Sequence, residues 1–192
     1  MESGVRIGKE IMMMVKKLEL PYQMDEVTLG DGNCFPLAIL QQCNRQDIKK
    51  SLACSIKSII EQNNPTLLRR AVYNFIESSQ DHQVLDFKLN YEKIVAPIYK
   101  KTWNMYWNEM LSNHTWAESV FIQSTAWFLN LDIVIITTTN TKEQPYLTIC
   151  GHLKNLNLPC TGEKIVLGCK ANVHYQSLLP INKNVKENHK KK

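Results

Sequence analysis

The sequence of 192 residues lacks two features that would direct it into or across a membrane. No apolar run approaches the roughly 18 residues that a membrane-spanning helix needs. The first twenty residues, MESGVRIGKEIMMMVKKLEL, contain no apolar core followed by a small-residue cleavage site, so we do not expect a signal peptide. We therefore expect a reducing intracellular compartment, the cytosol, in which the six cysteines are free thiols rather than disulfides.

Motifs of two other function classes are missing as well. No glycine-rich loop followed by Lys-Ser or Lys-Thr is present, which argues against a nucleoside triphosphatase. A zinc-binding regulator is a weaker alternative, because its candidate ligands lack paired C-x₂-C spacing and are better explained as core or surface side chains. These candidates are Cys150, His152, Cys160 and Cys169. We expect no metal and no other cofactor.

The charge of the chain is concentrated at one end. The formal net charge is +5, and the segment 183–192, KNVKENHKKK, has five lysines and one glutamate and so carries +4 of it. The remaining chain is nearly neutral, so we expect neither nucleic acid nor a membrane as a partner. With 44% hydrophobic residues, the chain is rich enough in apolar side chains for one globular domain.

Apolar periodicity predicts helices over the first two thirds of the chain and strands over the last third. Helices are predicted over 5–18, 34–43 (beginning at Cys34 or Phe35), 47–62 (with Asp47 as N-cap), 65–76, 90–111 (kinked near Pro97) and 118–129. Strands are predicted over 132–139, 145–150, 163–169 and 173–179. This order indicates an α+β fold with an antiparallel or mixed sheet.

The stretch LGDGNCFPLAIL, residues 29–40, places a cysteine where a turn becomes a helix. A helix N-terminus lowers the pKa of a thiol through its dipole and its free N–H groups, and the thiolate is the nucleophilic form. The same N–H groups can stabilise an oxyanion on a substrate carbonyl. Gly32 allows the turn backbone angles that are closed to other residues. A buried, inert Cys34 is the simpler interpretation, but the turn makes Cys34 a candidate nucleophile.

A cysteine nucleophile needs a base that accepts its proton and a third group that orients the base. Among the five histidines, His174 alone lies within a predicted strand, in NVHYQSLL, and a rigid strand suits a base. The others lie in polar loops, beside a glycine or in the basic tail, where surface positions are the simpler interpretation. They are His82, His114, His152 and His189.

Three segments occur in a fixed order: DGNC before an apolar helix, WAESVFIQSTAWFLNLDIVII over 116–136, and HYQSL from His174. Together they resemble the ovarian-tumour (OTU) family of cysteine deubiquitinases, over roughly residues 25–179. The resemblance implies a papain-like OTU fold, in which helices flank a small central sheet. It also implies thiol-dependent hydrolysis of isopeptide bonds at the C-terminus of ubiquitin. The implied partners are ubiquitin or polyubiquitin chains, with ubiquitin-like modifiers as further substrates.

The resemblance also implies a role for each site residue. Cys34 is the nucleophile, and His174 is the general base and acid. Asp31 belongs to the loop that forms the oxyanion hole. The implied oxyanion donors are the backbone N–H groups of Gly32, Asn33 and Cys34.

The residue that orients His174 stays open. The family often places Asp or Asn two positions after the histidine, because residues i and i+2 share a face of a strand. Gln176 stands there in this chain; its amide oxygen can accept a ring N–H, but it carries no charge. Asn172, two positions before the histidine, is an equal alternative on the same face. An upstream acid, Asp25 or Asp31, is the third.

Three segments follow from these assignments. Residues 1–24 are predicted to form an N-terminal helix that packs on the domain, residues 25–180 the OTU catalytic domain, and residues 181–192 a basic, disordered tail. Because Gln176 is uncharged, the alternative function is a weakly active or inactive ubiquitin-binding module of the same fold. If the protein is a pathogen effector, the expected compartment is the host cytosol.

Overall fold

The computed structural model describes residues 2–28, 30–139, 141–153, 163–170 and 174–181, without the side chains of residues 2–4. Helices occupy most of the first 130 residues. They are α1 Glu2–Lys17, α2 Cys34–Cys43, α3 Gln46–Ser51, α4 Cys54–Glu61, α5 Pro65–Ser78, α6 His82–Asn90, a π-helical turn Tyr91–Val95, α7 Ala96–Tyr99, α8 Trp103–Met110 and α9 Ser119–Leu129. No helix within the described ranges is long and apolar enough to cross a membrane.

The strands form one mixed sheet. They are β1 Tyr22–Met24, β2 Asp132–Thr137, β3 Leu147–Ile149, β4 Lys164–Lys170 and β5 His174–Pro180, in the order β1-β5-β4-β2-β3. β2 and β4 are parallel and the other pairs are antiparallel. The sequence DIVIIT of β2 is β-branched and buried in its middle, as expected for a central strand. The predicted α+β architecture with helices flanking a small central sheet is confirmed.

Two apolar cores cover the two faces of the sheet. The larger core contains α2, α5, α8 and α9, and its members include Phe35, Trp107 and Phe121. The smaller core lies between α1 and the sheet, where Ile11 and Val15 pack with residues of β2, β4 and β5. Because α2 belongs to the larger core and borders β4 and β5, the start of α2 and the start of β5 come together at one end of the molecule.

Two predicted helices are broken in the structure. The predicted helix 47–62 is wrong: α3 ends at Ser51, Leu52 and Ala53 are extended, and α4 begins at Cys54. The extended backbone turns Leu52 into the core while Ala53 stays exposed. Arg45 rather than Asp47 is the N-cap of α3, and Asp47 lies in the first turn.

The long predicted helix 90–111 is also interrupted, but not as expected at Pro97. The π-helical turn ends just before Ala96, and Pro97, which has no N–H to donate to a helical hydrogen bond, lies at the start of α7. The break comes at Lys100, which adopts a left-handed conformation with φ 53°. α8 then begins with its own cap, because the Thr102 hydroxyl accepts from the N–H of Met105.

Candidate active site

Cys34 is the first residue of α2, as predicted, and its side chain is almost fully buried. The far end of α2 is fixed to the sheet by Gln42, whose side-chain amide donates to Ser177 Oγ at 2.7 Å and to the carbonyl of Leu178 at 2.8 Å. Both acceptors belong to β5, the strand that begins at His174. The amide of Gln42 therefore fixes the helix that begins at Cys34 to the strand that begins at His174.

The turn before Cys34 is held by its own side chains. The carboxylate of Asp31 accepts from the N–H of Asn33 at 3.0 Å. Gly32 has φ +86°, and a side chain there would overlap the carbonyl of His114 at 1.8 Å. Only glycine fits this position, because of both the left-handed angle and the approach of a second backbone segment.

That second segment is the loop of residues 113–115, which closes over the turn. Asn33 donates from its side chain to Asn113 Oδ1 at 2.8 Å and accepts from the N–H of His114 at 3.3 Å. The Nδ1 atom of His114 lies 2.8 Å from the carbonyl of Asp31 and 3.2 Å from its carboxylate. Since the Asn33 N–H is engaged by Asp31, the N–H groups of Gly32 and Cys34 are the stronger oxyanion donors of the three expected.

His174 begins β5 and is fully buried, and the next residue of the strand contacts the nucleophile. The Cys34 thiol accepts a hydrogen bond from the backbone of Tyr175. The ring of His174 has its Nε2 atom 3.1 Å from the hydroxyl of Thr28. Its Nδ1 atom is buried without a hydrogen-bond partner among the described residues. The residue that follows His174 in β5 therefore lies beside the thiol of Cys34.

The hydrogen bonds of Thr28 assign the tautomer of His174. The Thr28 hydroxyl has one hydrogen, and its shortest contact, 2.5 Å, is with the carbonyl of Tyr175, which can only accept. The same oxygen must then accept from Nε2–H of His174, which leaves Nδ1 without a proton. A neutral ring with a free Nδ1 is the form that can take a thiol proton.

Of the side chains expected to orient His174, Gln176 forms a hydrogen bond that raises the pKa of the His174 ring, and it also contacts the segment that follows β1. Gln176 accepts at Oε1 from the N–H of Thr28 at 3.2 Å and donates from Nε2 to the carbonyl of Glu26 at 2.6 Å. The carboxylate of Asp25 accepts from Ser177 Oγ at 2.7 Å. Gln176 thus holds the segment that carries Thr28 against β5. Asn172 lies outside the described residues, and Asp31 contacts His114 and Asn33.

Burial keeps the resting pair neutral. It raises the pKa of the Cys34 thiol, and hydrogen bonds from the backbone of Tyr175, Phe35 and Cys34 itself oppose the rise. Burial lowers the pKa of His174, and a hydrogen bond with the Gln176 side chain opposes the fall. Both shifts disfavour a thiolate–imidazolium pair in this state, although catalytic hydrogen bonds often tighten only when substrate is bound.

Comparison with known families agrees with this geometry. The sequence model of the family described as OTU-like cysteine protease matches residues 29–173, well over half of the chain. This chain belongs to the OTU-like cysteine protease family. A search among curated proteins found no significant match.

This OTU-like protease is similar to solved structures of OTU proteins. The structure of h/ceOTUB1–ubiquitin aldehyde–UBCH5B~Ub has 14% identity and a TM-score of 0.56, over 91% of this chain and 83% of that chain. The OTU deubiquitinase from Wolbachia pipientis wMel has 14% identity and a TM-score of 0.49, over 84% and 90%. The Hazara virus OTU bound to ubiquitin has 14% identity and a TM-score of 0.47, over 84% and 82%. At such identities the likeness concerns the fold.

A cleft of this OTU-like protease lies beside Tyr175, the residue that follows His174 in β5. A cavity of about 690 Å³ is lined by Trp116, Val120, Ile122 and Tyr175, among others. The ring of Trp116 stacks on that of Tyr175, with ring centroids 5.1 Å apart and planes 27° apart. Because Tyr175 follows His174 directly, this aromatic pair joins the cleft to the start of β5. Phe121 and Trp127 are buried in the core.

The candidate zinc ligands do not converge. Within the described ranges, no three His, Cys, Asp or Glu side chains form a group that could hold a metal ion. Cys150 lies near His152, with its thiol 3.9 Å from the His152 carbonyl, while Cys169 is buried in β4. Cys160 lies outside the described residues.

Sequence reasoning missed Thr28 and Arg69. Thr28 lies just outside the quoted motif, and its contact with Gln176 spans 148 positions along the chain. Arg69 lies inside a helix, where an arginine normally indicates an exposed face. Only the apolar residues around it in the sequence could have indicated that Arg69 is buried. They are Leu67, Leu68, Ala71 and Val72. His82, expected in a loop, instead begins α6 after the N-cap Asp81.

Proposed function

We propose that this OTU-like cysteine protease is a deubiquitinase that hydrolyses isopeptide bonds at the C-terminus of ubiquitin. The carrying observation is the Cys34 thiol at the start of α2, against Tyr175, together with a buried His174 in the same strand whose Nδ1 has no hydrogen-bond partner among the described residues. A similar fold occurs in h/ceOTUB1, solved with ubiquitin aldehyde, and this makes ubiquitin the substrate to test.

In the proposed reaction, Nδ1 of His174 accepts the proton of the Cys34 thiol as the sulfur attacks the carbonyl carbon of the terminal glycine. The resulting oxyanion is stabilised by backbone N–H groups of the turn before Cys34. The imidazolium then gives its proton to the lysine amine, the C–N bond breaks, and an acyl-enzyme remains. Water, deprotonated by the same ring, attacks the thioester and releases both the carboxylate and the thiol.

The open cleft beside Tyr175 is the proposed site for the C-terminal tail of ubiquitin. Its lining combines the aromatic pair Trp116 and Tyr175 and aliphatic side chains with the charged residues Lys101 and Glu118, a mixture that can hold an extended peptide through both apolar and polar contacts. Ubiquitin, polyubiquitin chains and ubiquitin-like modifiers with such tails are the proposed partners, and the cytosol, or a host cytosol, is the proposed compartment. We also propose three segments: an N-terminal helix over residues 1–24, the catalytic domain over 25–180 and a basic tail over 181–192.

A ubiquitin probe with a C-terminal electrophile tests this proposal. The wild type should form a covalent adduct at Cys34, and Cys34→Ala should form none, because the thiol is the attacking atom. Cys54→Ala is the matched control, since Cys54 is a free and exposed cysteine that should leave labelling unchanged. Labelling that persists in Cys34→Ala would overturn the assignment of the nucleophile.

Turnover separates the enzyme from the alternative, a weakly active or inactive ubiquitin-binding module. The observation that favours the alternative is the burial of the pair, which raises the pKa of Cys34 and lowers that of His174. Cleavage of di-ubiquitin that disappears in His174→Ala supports the enzyme. Ubiquitin binding without cleavage by the wild type supports the module.

A further inference from the structure

A buried arginine joins the two loops beside the nucleophile. Arg69 lies in α5, is 0% exposed, and donates to three backbone carbonyls. Its Nη1 donates to the carbonyl of Met110 at 2.9 Å. Its Nη2 donates both to the carbonyl of Gly32 at 3.1 Å and to the carbonyl of Thr115. One nitrogen atom therefore bonds the turn before Cys34 and the loop that closes over it.

This position is energetically unusual for a charged group. Its three partners are carbonyls rather than carboxylates, and the ring of Phe121 lies 5.3 Å from Cζ of Arg69. Removing a charge from water is costly, and a well-packed apolar side chain often stabilises a core at least as well. The fork of the guanidinium, with donors in fixed directions, does what no apolar side chain can do: it fixes the orientation of several peptide units.

The peptide unit between Gly32 and Asn33 is oriented directly. The carbonyl and the N–H of a planar peptide unit point in opposite directions. With the Gly32 carbonyl held by Arg69, the Asn33 N–H points to the other side, where it donates to Asp31 Oδ1 at 3.0 Å. The turn that precedes the nucleophile is thereby fixed from both sides.

The peptide unit between Asp31 and Gly32 is oriented through the second loop. Arg69 holds the carbonyl of Thr115, next to His114. The Nδ1 atom of His114 contacts the carbonyl of Asp31 at 2.8 Å. That contact turns the Gly32 N–H away from the loop, and a Gly32 N–H that faces outward can serve as an oxyanion donor.

We propose that Arg69 is a positioning residue for the reaction, which holds both loops so that the N–H group of Gly32 is directed at the oxyanion. This inference rests on the proposed function, because an oxyanion forms only if a carbonyl is attacked. Arg69 does not touch substrate; it acts on the backbone that does.

Arg69→Lys is the test variant, because it keeps the positive charge but loses the fork. We measure hydrolysis of a ubiquitin C-terminal coumarin amide, and alkylation of Cys34 by iodoacetamide followed on its peptide by mass spectrometry. Alkylation forms a C–S bond and breaks a C–I bond without an oxyanion. We expect kcat to fall about 10- to 100-fold, below the roughly 10²- to 10³-fold cost of removing a donor outright. KM should change less than about threefold and alkylation less than about twofold.

Amide hydrogen exchange gives a readout that needs no substrate. In Arg69→Lys, peptides covering 30–35 and 113–117 should exchange faster than in the wild type, while peptides of β2 and β4 should not. Arg70→Lys is the matched control, since Arg70 is the exposed neighbour on α5 and should match the wild type in every measurement. Arg69→Met, which removes the charge as well, is the second variant and should lower kcat further.

The outcomes are distinct. Unchanged kcat with unchanged local exchange would overturn the proposal. A parallel loss of kcat, of Cys34 alkylation and of exchange protection across the whole protein would also overturn it. Failure of both Arg69 variants to fold would do the same, because either result would show a purely structural role. If the wild type does not hydrolyse the ubiquitin substrate, the proposed function fails, and local exchange at 30–35 still decides whether Arg69 holds the turn.

Discussion

At the scale of single residues, Thr28 decides what His174 can do. Its hydroxyl is both a donor to the carbonyl of Tyr175 and the acceptor for Nε2–H, so it selects the tautomer with a free Nδ1. A carboxylate in this place would add a charge that stabilises the imidazolium, and Thr28 adds none. Thr28 is thus an uncharged orienting group, and burial likewise favours the uncharged forms of Cys34 and His174 in the resting protein.

Replacing Thr28 should therefore impair turnover more than folding. Thr28→Val keeps the shape but loses the hydroxyl, so we expect kcat/KM to fall about 10- to 100-fold, as for other groups that orient a functional imidazole. Thr28→Ser keeps the hydroxyl and should remain within a few-fold of the wild type. Thr66→Val is a control at an exposed position of α5. Activity of Thr28→Val equal to that of Thr28→Ser would show that the hydroxyl does not orient the ring.

The sequence alone predicts the candidate dyad, which stays a prediction, but it does not predict the side chains that support the dyad. Cys34 and His174 stand in short motifs whose chemistry can be argued from residue type and spacing. Thr28 and Arg69 act through backbone carbonyls that are distant in sequence, and no local pattern reports such a contact. The uncharged Gln176 could be noted from sequence, but its bond to the Glu26 carbonyl depends on how β5 lies beside the preceding segment.

At the scale of elements, strands were predicted better than helix breaks. Alternation and β-branching place β2, β4 and β5 within about two residues, because a buried strand needs these side chains locally. The breaks at Leu52 and Lys100 are different, since neither residue is a glycine or proline that would mark a helix end in the sequence. Pro97, the local breaker, falls at a tolerated position at the start of α7.

The α2 helix offers a paired test of how it is fixed to the sheet. Gln42→Met removes hydrogen bonds to Ser177 and Leu178 and should lower the free energy of unfolding by about 1–3 kcal/mol. Gln41→Met, one position earlier, should be neutral or stabilising, because Oε1 of Gln41 is buried without a partner among the described residues. Urea denaturation of both variants gives the two values. Equal destabilisation would contradict the role assigned to Gln42.

At the scale of the whole molecule, the sheet separates two apolar cores that support different parts of the protein. The core that contains α2 and α9 supports the site, whereas the core under α1 covers the opposite face with Ile11, Val15 and their neighbours. The close fit of that second core is visible at Gly168, where a side chain would come within 2.3 Å of Ile11 Cγ2. α1 therefore supports the strands that carry His174 without approaching the reaction.

The buried base should also make global stability depend on pH. Burial lowers the pKa of His174 from its ordinary value of 6.5, so below that pH the unfolded chain binds a proton that the folded protein resists. The free energy of unfolding rises with pH wherever the unfolded state binds more protons, so the contribution of His174 is complete above about pH 6.5 and is lost as the pH falls toward its folded pKa.

Urea denaturation of the wild type and of His174→Gln, between about pH 7.5 and about pH 5, measures this contribution. The wild type should lose stability more steeply than the variant as the pH falls, because glutamine does not titrate. His82→Gln, at an exposed position, should keep the steeper wild-type slope. Parallel curves for the wild type and His174→Gln would mean that the folded protein accepts the imidazolium as readily as the unfolded chain. The conclusion that His174 is neutral in the resting protein would then be wrong.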